Sequence, residues 1–502
     1  MTRASHQALT AWIPPRLALV RRLGLAVLCL APLSAYGLEH QDFTLENGLR
    51  VILVREPKAP VVLSEVWYRV GSVDEVEGKT GLSHMLEHMM FQGTPKVPSG
   101  EFHRLVGRNG GEDNASTSYD FTCYYIKLAS DRAELALRLE ADRMRHLSLR
   151  DEEFHPENQV VQEERRMRTD ADPTGRFLEK FLAKAYGTHP YGRPVIGWMT
   201  DIQHFTTDDL RTWYQRYYVP NNAVLVLVGD LELEPMAQQV RRHFADIPAA
   251  PPVVPTVLPA YQPPALAVAP IGSAEPGPTE AQRLEIADKA VTLPVWYSGY
   301  PVPTLLTEGR EDVFALDVLA TILGGGSSSR LYQKLVMERG LAVSVAAHYG
   351  GYGRSWELLT VSASPPSTDN EDALAPPVDG HGGPPVAPPE RSGASAGVTG
   401  VEALPLIEQI VQQEVLRLTQ EPVSERELQR AKNGMIAQHV FGRDSIHELA
   451  SEIGLLSLNG LDWVALVEGY PQKIAEVRAE DVQRVAARYL RPEQRIVGVL
   501  KP

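Results

Sequence analysis

The sequence predicts an α+β protein of two homologous domains, each a sheet covered by helices. Three observations carry this expectation. The segment "IQHFTTDDLRTWYQRYYVPNNAVLVLVGD" (202–230) repeats as "IAEVRAEDVQRVAARYLRPEQRIVGVL" (474–500), with Ile202, Asp209, Tyr217 and Pro220 matched in unbroken register by Ile474, Asp481, Tyr489 and Pro492. Each copy reads as a helix opened by a short polar residue, then a proline, then a β-rich strand. A proline-rich stretch, "AAPPVVPTVLPAYQPPALAVAPIGSAEPGPTE" (249–280), separates the copies and reads as a surface linker.

At the start of the chain, "RLALVRRLGLAVLCLAPLSAYG" sets Arg16, Arg21 and Arg22 ahead of an apolar run from Leu23 to Leu33. A small-x-small site follows at Ala35-Tyr36-Gly37. This is the layout of a secretory signal peptide, residues 1–37, and predicts export to the periplasm. The run falls short of the roughly 20 residues of a membrane span. Pro32 also interrupts it, so a membrane anchor left uncleaved is the alternative.

Residues 38–248 are expected to form the first domain. Within it "FTLENGLRVILVREP" (43–57) alternates around Asn47-Gly48, a strong hairpin signal. The stretches 61–73 and 122–129 read as further strands, and helical patterns fall around 81–92, 100–109, 131–147 and 156–169. A linker over 249–284 leads to the second domain, 285–502. Inside that domain "SPPSTDNEDALAPPVDGHGGPPVAPPERSGASAGVTG" (364–400) has few large apolar residues and reads as a disordered insertion.

Composition narrows the function classes. The 502 residues are 43% hydrophobic and 22% charged, ordinary for a globular chain of more than one domain. A net charge of -14 argues against a nucleic-acid partner, because phosphate binding needs basic surface. Of the two cysteines, Cys29 lies in the leader, so the mature chain keeps only Cys123 and forms no internal disulfide.

The stretch "GLSHMLEHMMF" (81–91) carries the chemistry. On a helix, positions i, i+3 and i+4 share a face, so His84, Glu87 and His88 point the same way. Two imidazoles four apart suit one metal ion, and the carboxylate beside them suits the proton of a metal-bound water. The plain alternative is a pair of surface histidines on an amphipathic helix. A zinc peptidase site needs a third protein ligand from another element. In "HPENQVVQEERRMRTD" (155–170), Glu157 and Glu164 lie seven apart on one helical face, but so charged a helix also reads as plain solvated surface.

Together "GLSHMLEHMMFQGT", "GGEDNASTSYDFTCYY" (110–125), "ENQVVQEERRMR", "HPYGRPVIG" (189–197) and "LGGGSSSRLYQKLVMERGLAVSV" (323–345) resemble the pitrilysin/insulinase zinc peptidases, named inverzincins for their inverted His-x-x-Glu-His motif. The resemblance implies that His84, His88 and Glu164 hold one Zn2+ and that Glu87 is the general base acting on zinc-bound water. It implies that Glu157 supports a ligand from behind, and that Asn114 and Ala115 lie on an edge strand that pairs with substrate backbone. Thr117 and Tyr119 are expected on that same strand, as bare surface or as substrate contacts. The implied fold is a clamshell chamber, of which this chain forms half. Active relatives place an arginine and, seven residues later, a tyrosine near the zinc. Here Val336 and Val343 stand in those places. The chain therefore resembles the zinc-bearing subunit of a heterodimer whose partner brings the Arg/Tyr pair, with a homodimer as the other arrangement. The implied activity is endopeptidase cleavage of oligopeptides or unfolded segments. The alternative is a non-catalytic structural or peptide-holding subunit of a larger assembly.

Overall fold

Residues 37–253, 256–259, 261, 282–367 and 398–502 are described by the computed structural model. The expected leader up to residue 36, most of the linker and the centre of the expected insertion lie outside them. Six strands form the first sheet: β1 (His40–Thr44), β2 (Arg50–Arg55), β3 (Val61–Tyr68), β4 (Glu112–Thr117), β5 (Thr122–Ala129) and β6 (Ala223–Gly229). Their order is β1-β2-β6-β3-β5-β4, antiparallel except for the β2–β6 pair. The β1–β2 hairpin turns through Asn47-Gly48 as expected, with Gly48 at φ +86°. Asn47 also donates from Nδ2 to the carbonyls of Phe244 and Ile247, tying the turn to the end of a distant helix.

The first half adds seven helices of eight residues or more. They are α1 (Leu82–Met89), α2 (Glu101–Arg108), α3 (Ala133–His146), α4 (Asp151–Arg165), α5 (Pro173–Tyr186), α6 (Thr207–Tyr217) and α7 (Leu233–Phe244). The α1 residues Met85, Leu86 and Met89 are fully buried and join the core formed with β2, β3 and β6. That burial turns the polar face of α1 toward α4. The expected helix at 156–169 begins a turn earlier, at Asp151, and passes through Pro156. A proline reads as a helix start because its missing N–H costs nothing there. In this helix Asp151 is held from outside by Thr207 Oγ1 at 2.7 Å, which extends the helix upstream of the proline.

The second sheet has order β7-β11-β8-β10-β9, from β7 (Gln282–Ala287), β8 (Val295–Val302), β9 (Ser344–His348), β10 (Glu357–Ser364) and β11 (Ile496–Lys501). Strands β7 to β11 repeat the connectivity of β2, β3, β4, β5 and β6, including the one parallel pair. The helices of eight residues or more in this half are α8 (Val313–Gly324), α9 (Leu404–Gln420), α10 (Glu425–Gly442), α11 (Ile446–Leu458) and α12 (Ala479–Tyr489). The repeat read from sequence is thus α6–β6 and α12–β11. Thr206 caps α6 with its side chain, as expected. The second copy opens on Arg478, and there Asp481, like Asp209 in the first copy, bonds the backbone N–H at the cap.

Each half lends one helix to the other's sheet. From the first half, α5 sets Phe177 and Phe181 in a cluster with Leu358, Ile496 and Leu500 of the second sheet. A Cβ at Gly498 would fall 2.6 Å from the Phe177 ring, so glycine there permits the close approach. From the second half, α11 lies on β3 and β6. A Cβ at Gly454 would fall 2.2 Å from Trp67 Nε1. At the same contact the buried Glu65 accepts from Trp67 Nε1 (2.9 Å) and Ser451 Oγ (3.1 Å), and pairs with His447 Nδ1 (3.2 Å). His40 to Pro502 accordingly make one compact unit.

Candidate metal centre

Two helices build the site. His84, Glu87 and His88 project from α1, and Glu157 and Glu164 from the facing side of α4, where Val161 is buried while Val160 points out. Glu164 Oε2 lies 3.7 Å from His84 Nε2 and 3.3 Å from His88 Nε2. One ligand atom from each of the three residues falls within 4.8 Å of the others, the one such metal-capable group among the described residues. Two imidazole nitrogens and a carboxylate oxygen are the donor set of a catalytic zinc site, with a fourth position left open. The residues fit the ion.

Around these three side chains a second set of bonds fixes their aim. Glu157 Oε1 sits 2.7 Å from His88 Nδ1, which turns Nε2 toward Glu164. Its other oxygen accepts from Gln92 Nε2 at 2.7 Å, and Gln92 Oε1 accepts from Ser99. His84 has no such partner: its Nδ1 is buried without a hydrogen bond. The second oxygen of Glu164 pairs with Arg168 at 2.6 Å. Arg168 lies in the π-helical turn Arg166–Asp170 that ends α4. Thr117 Oγ1, the last residue of β4, donates to Glu87 Oε2. Glu75 lies fully buried and accepts from the backbone N–H groups of Gly81 (2.7 Å) and Ser83 (2.8 Å), so it caps α1 from a distance.

The charge states follow from these contacts. Burial pulls His84 well below the usual imidazole range, helped by the neighbouring His88. Burial acts on His88 too, but its hydrogen bonds to Glu157 and Glu164, which accept them, overcome it and hold its pKa at about 9. Glu164 is lowered, first by its bond to His88. Burial raises Glu87, against the Thr117 bond. A carboxylate raised toward neutrality suits proton transfer near pH 7.

Asn114 and Ala115 lie on β4, which pairs only with β5 and leaves its outer edge open. The Ala115 N–H faces that edge and is taken by Asn114 Oδ1 at 2.9 Å. Tyr119 departs from expectation. It lies beyond the end of β4, in the turn toward β5, with its ring 5.1 Å from Tyr191. Val336 packs against the second core, and neither it nor Val343 carries a side-chain donor.

The matching helix pair of the second half, α8 and α10, flanks a cavity of about 300 Å³ lined in part by Asp317, Gln438, His439 and Glu452. Burial lifts Asp317 to about 6 and Glu452 to about 7. No His-x-x-Glu-His lies there.

Two homologous α+β halves, with an inverted His-x-x-Glu-His helix facing a glutamate in one half only, define a class of metallopeptidase-like proteins. The family model "Insulinase (Peptidase family M16)" matches residues 50–198, and "Peptidase M16 inactive domain" matches 204–375. The zinc protease PqqE of Helicobacter pylori is 37% identical over 336 residues, covering 65% of this chain and 72% of that protein. The uncharacterized zinc protease YmxG of Bacillus subtilis is 27% identical over 463 residues, 92% and 98% of the two chains. A solved protease from Helicobacter pylori superposes with a TM-score of 0.76 at 29% identity, over 93% of this chain and all of that one. The first half of the periplasmic protease PqqL from Escherichia coli shares the fold, with a TM-score of 0.70 at 18% identity over 93% and 92% of the chains. The chain belongs to the insulinase family, peptidase family M16, and is a zinc-protease-like protein.

Proposed function

We propose that the chain is a zinc-dependent endopeptidase for oligopeptides or unfolded segments. The convergence of His84, His88 and Glu164 beside Glu87 is the observation that carries the reading. Zinc, when bound, supplies a Lewis acid and brings a coordinated water's pKa to about 7. Glu87 accepts a proton while Thr117 Oγ1 holds its Oε2, then returns the proton to the departing amine. Glu157 fixes the His88 ring. Substrate backbone adds to the open edge of β4 at Asn114 and Ala115, displacing Asn114 Oδ1 from the Ala115 N–H. Only extended backbone can pair this way, which selects unfolded segments.

Residues 38–248 act as the peptidase domain in this reading, and 285–502 as its non-zinc counterpart. Val336 and Val343 leave the chain without an oxyanion donor of its own at those positions, so a related subunit bearing an Arg/Tyr pair completes the site. The 1–37 leader sends the chain to the periplasm. Among the described residues no helix is long and apolar enough to cross a membrane. The test is zinc content and peptide cleavage by the purified mature chain, with Glu87→Gln as control. One zinc per chain, and cleavage in the presence of the Arg/Tyr-bearing subunit that disappears in the control, is the expected result. Absence of stoichiometric zinc, or cleavage that survives Glu87→Gln, overturns it.

A further inference from the structure

A second cavity, about 250 Å³, opens where the two halves meet, lined by Arg50, Arg69, Asp74, Asn221, Asn222 and Arg354, among others. Three guanidinium groups converge there against one carboxylate, in a chain of net charge -14. Two of them are already engaged. Arg354 binds Asp74 through Nη1 (3.0 and 3.2 Å) and the Thr256 carbonyl through Nη2. Arg50 forms a fork with Asp42 and donates to the Ser457 carbonyl at 3.3 Å. Arg69 differs. Its backbone is fixed, with the N–H bonded to the Asn222 carbonyl (3.0 Å) and its own carbonyl accepting from Asn222 Nδ2 (3.3 Å). Yet its Nε is buried without a hydrogen bond, and no ion pair engages its guanidinium among the described residues. Burial and the charge of Arg354 work against its protonated form, while the charges of Asp74 and Asp120 favour it without an ion pair to either. An unpaired, partly desolvated cation is costly unless something meets it.

We propose that this junction is a binding site for a small oxyanion, a phosphate or carboxylate group gripped by the Arg69 fork beside Arg50 and Arg354. The planar guanidinium matches two oxygens of either group, and the cavity admits one such head. Because Arg354, Ser457 and Leu458 come from the second half and Arg69, Asn221 and Asn222 from the first, a bound anion ties the halves together. The site is separate from the metal and is read without peptidase activity.

Calorimetric titration of the full mature chain with inorganic phosphate at constant ionic strength tests it, with thermal unfolding measured alongside. The expected result is saturable binding that raises the melting temperature, weakened by about tenfold or more in Arg69→Gln. Among the described residues the Arg69 guanidinium has no ion pair to lose, so that variant should fold, and Arg69→Lys, keeping charge without the fork, should fall between. Short peptides ending in a free carboxylate or an amide separate the sources. Displacement of phosphate by the free acid alone assigns the site to chain termini, and displacement by neither assigns it to free oxyanions. Absence of saturable binding, or binding unchanged in Arg69→Gln, overturns the proposal.

Discussion

Removing Glu157 should weaken zinc binding without touching a zinc ligand. In Glu157→Ala, His88 Nδ1 loses the oxygen 2.7 Å away that aims its ring, and Gln92 loses its acceptor as well. Outer partners of this kind are worth 10- to 100-fold in metal affinity, about 1.4–2.7 kcal/mol at 1.36 kcal/mol per factor of ten. The upper part of that range is expected, because Glu157 is the partner that turns His88 toward Glu164, while His84 has no comparable anchor. Glu157→Gln should cost less. Its amide oxygen still accepts from His88, and its NH₂ is accommodated if Gln92 flips and Ser99 reverses its hydroxyl. Competition against a chromophoric chelator gives both affinities, and zinc-free melting curves show whether the fold is intact. An affinity for Glu157→Ala within twofold of the wild type, in a folded protein, would refute the argument that Glu157 orients the site.

Other consequences are as direct. With His88 raised to about 9 and His84 held low, zinc must displace a proton from His88 at pH 7. Calorimetry in buffers of different ionisation enthalpy should find about one proton released per zinc, with apparent affinity rising with pH until about 9. Gly454→Ala drives a methyl group into Trp67, and overpacking of this kind costs about 1–3 kcal/mol, read as a lowered melting temperature. Glu452, raised to about 7, keeps its proton in the folded state while the unfolded chain loses it near 4.5. Its contribution is therefore intact below pH 4.5 and is lost as pH rises to 7. Glu452→Gln should gain up to about 3 kcal/mol over the wild type at pH 8 and almost nothing at pH 4.5, by denaturant unfolding at both.

Local rules made much of this legible. The 3.6-residue period put His84, Glu87 and His88 on one face, Asn47-Gly48 marked its hairpin, and the 202–230 repeat foretold matching strands in both sheets. Spacing alone left Glu164 undecided, because whether a charged helix faces water or another helix depends on what packs against it. The α4 start was displaced for a similar reason: Thr207, far away in sequence, holds Asp151. Thr117 was noticed, but its bond to Glu87 depends on how β4 meets α1. Gln92 was findable as the residue one turn beyond His88. Glu75 carried no signal, since a loop carboxylate seven residues before a helix has no pattern of its own.

The exchange of α5 and α11 between the sheets bears on how the polypeptide is made. When the ribosome has released only the first half, Trp67 and the buried Glu65 still lack their cover, since α11 lies more than 370 residues further on in the chain. The first sheet must wait, exposed, for the last fifth of the protein. Once closed, the two clasps hold in opposite directions. A single cut between residues 262 and 281 would give two polypeptides and leave each still gripping the other.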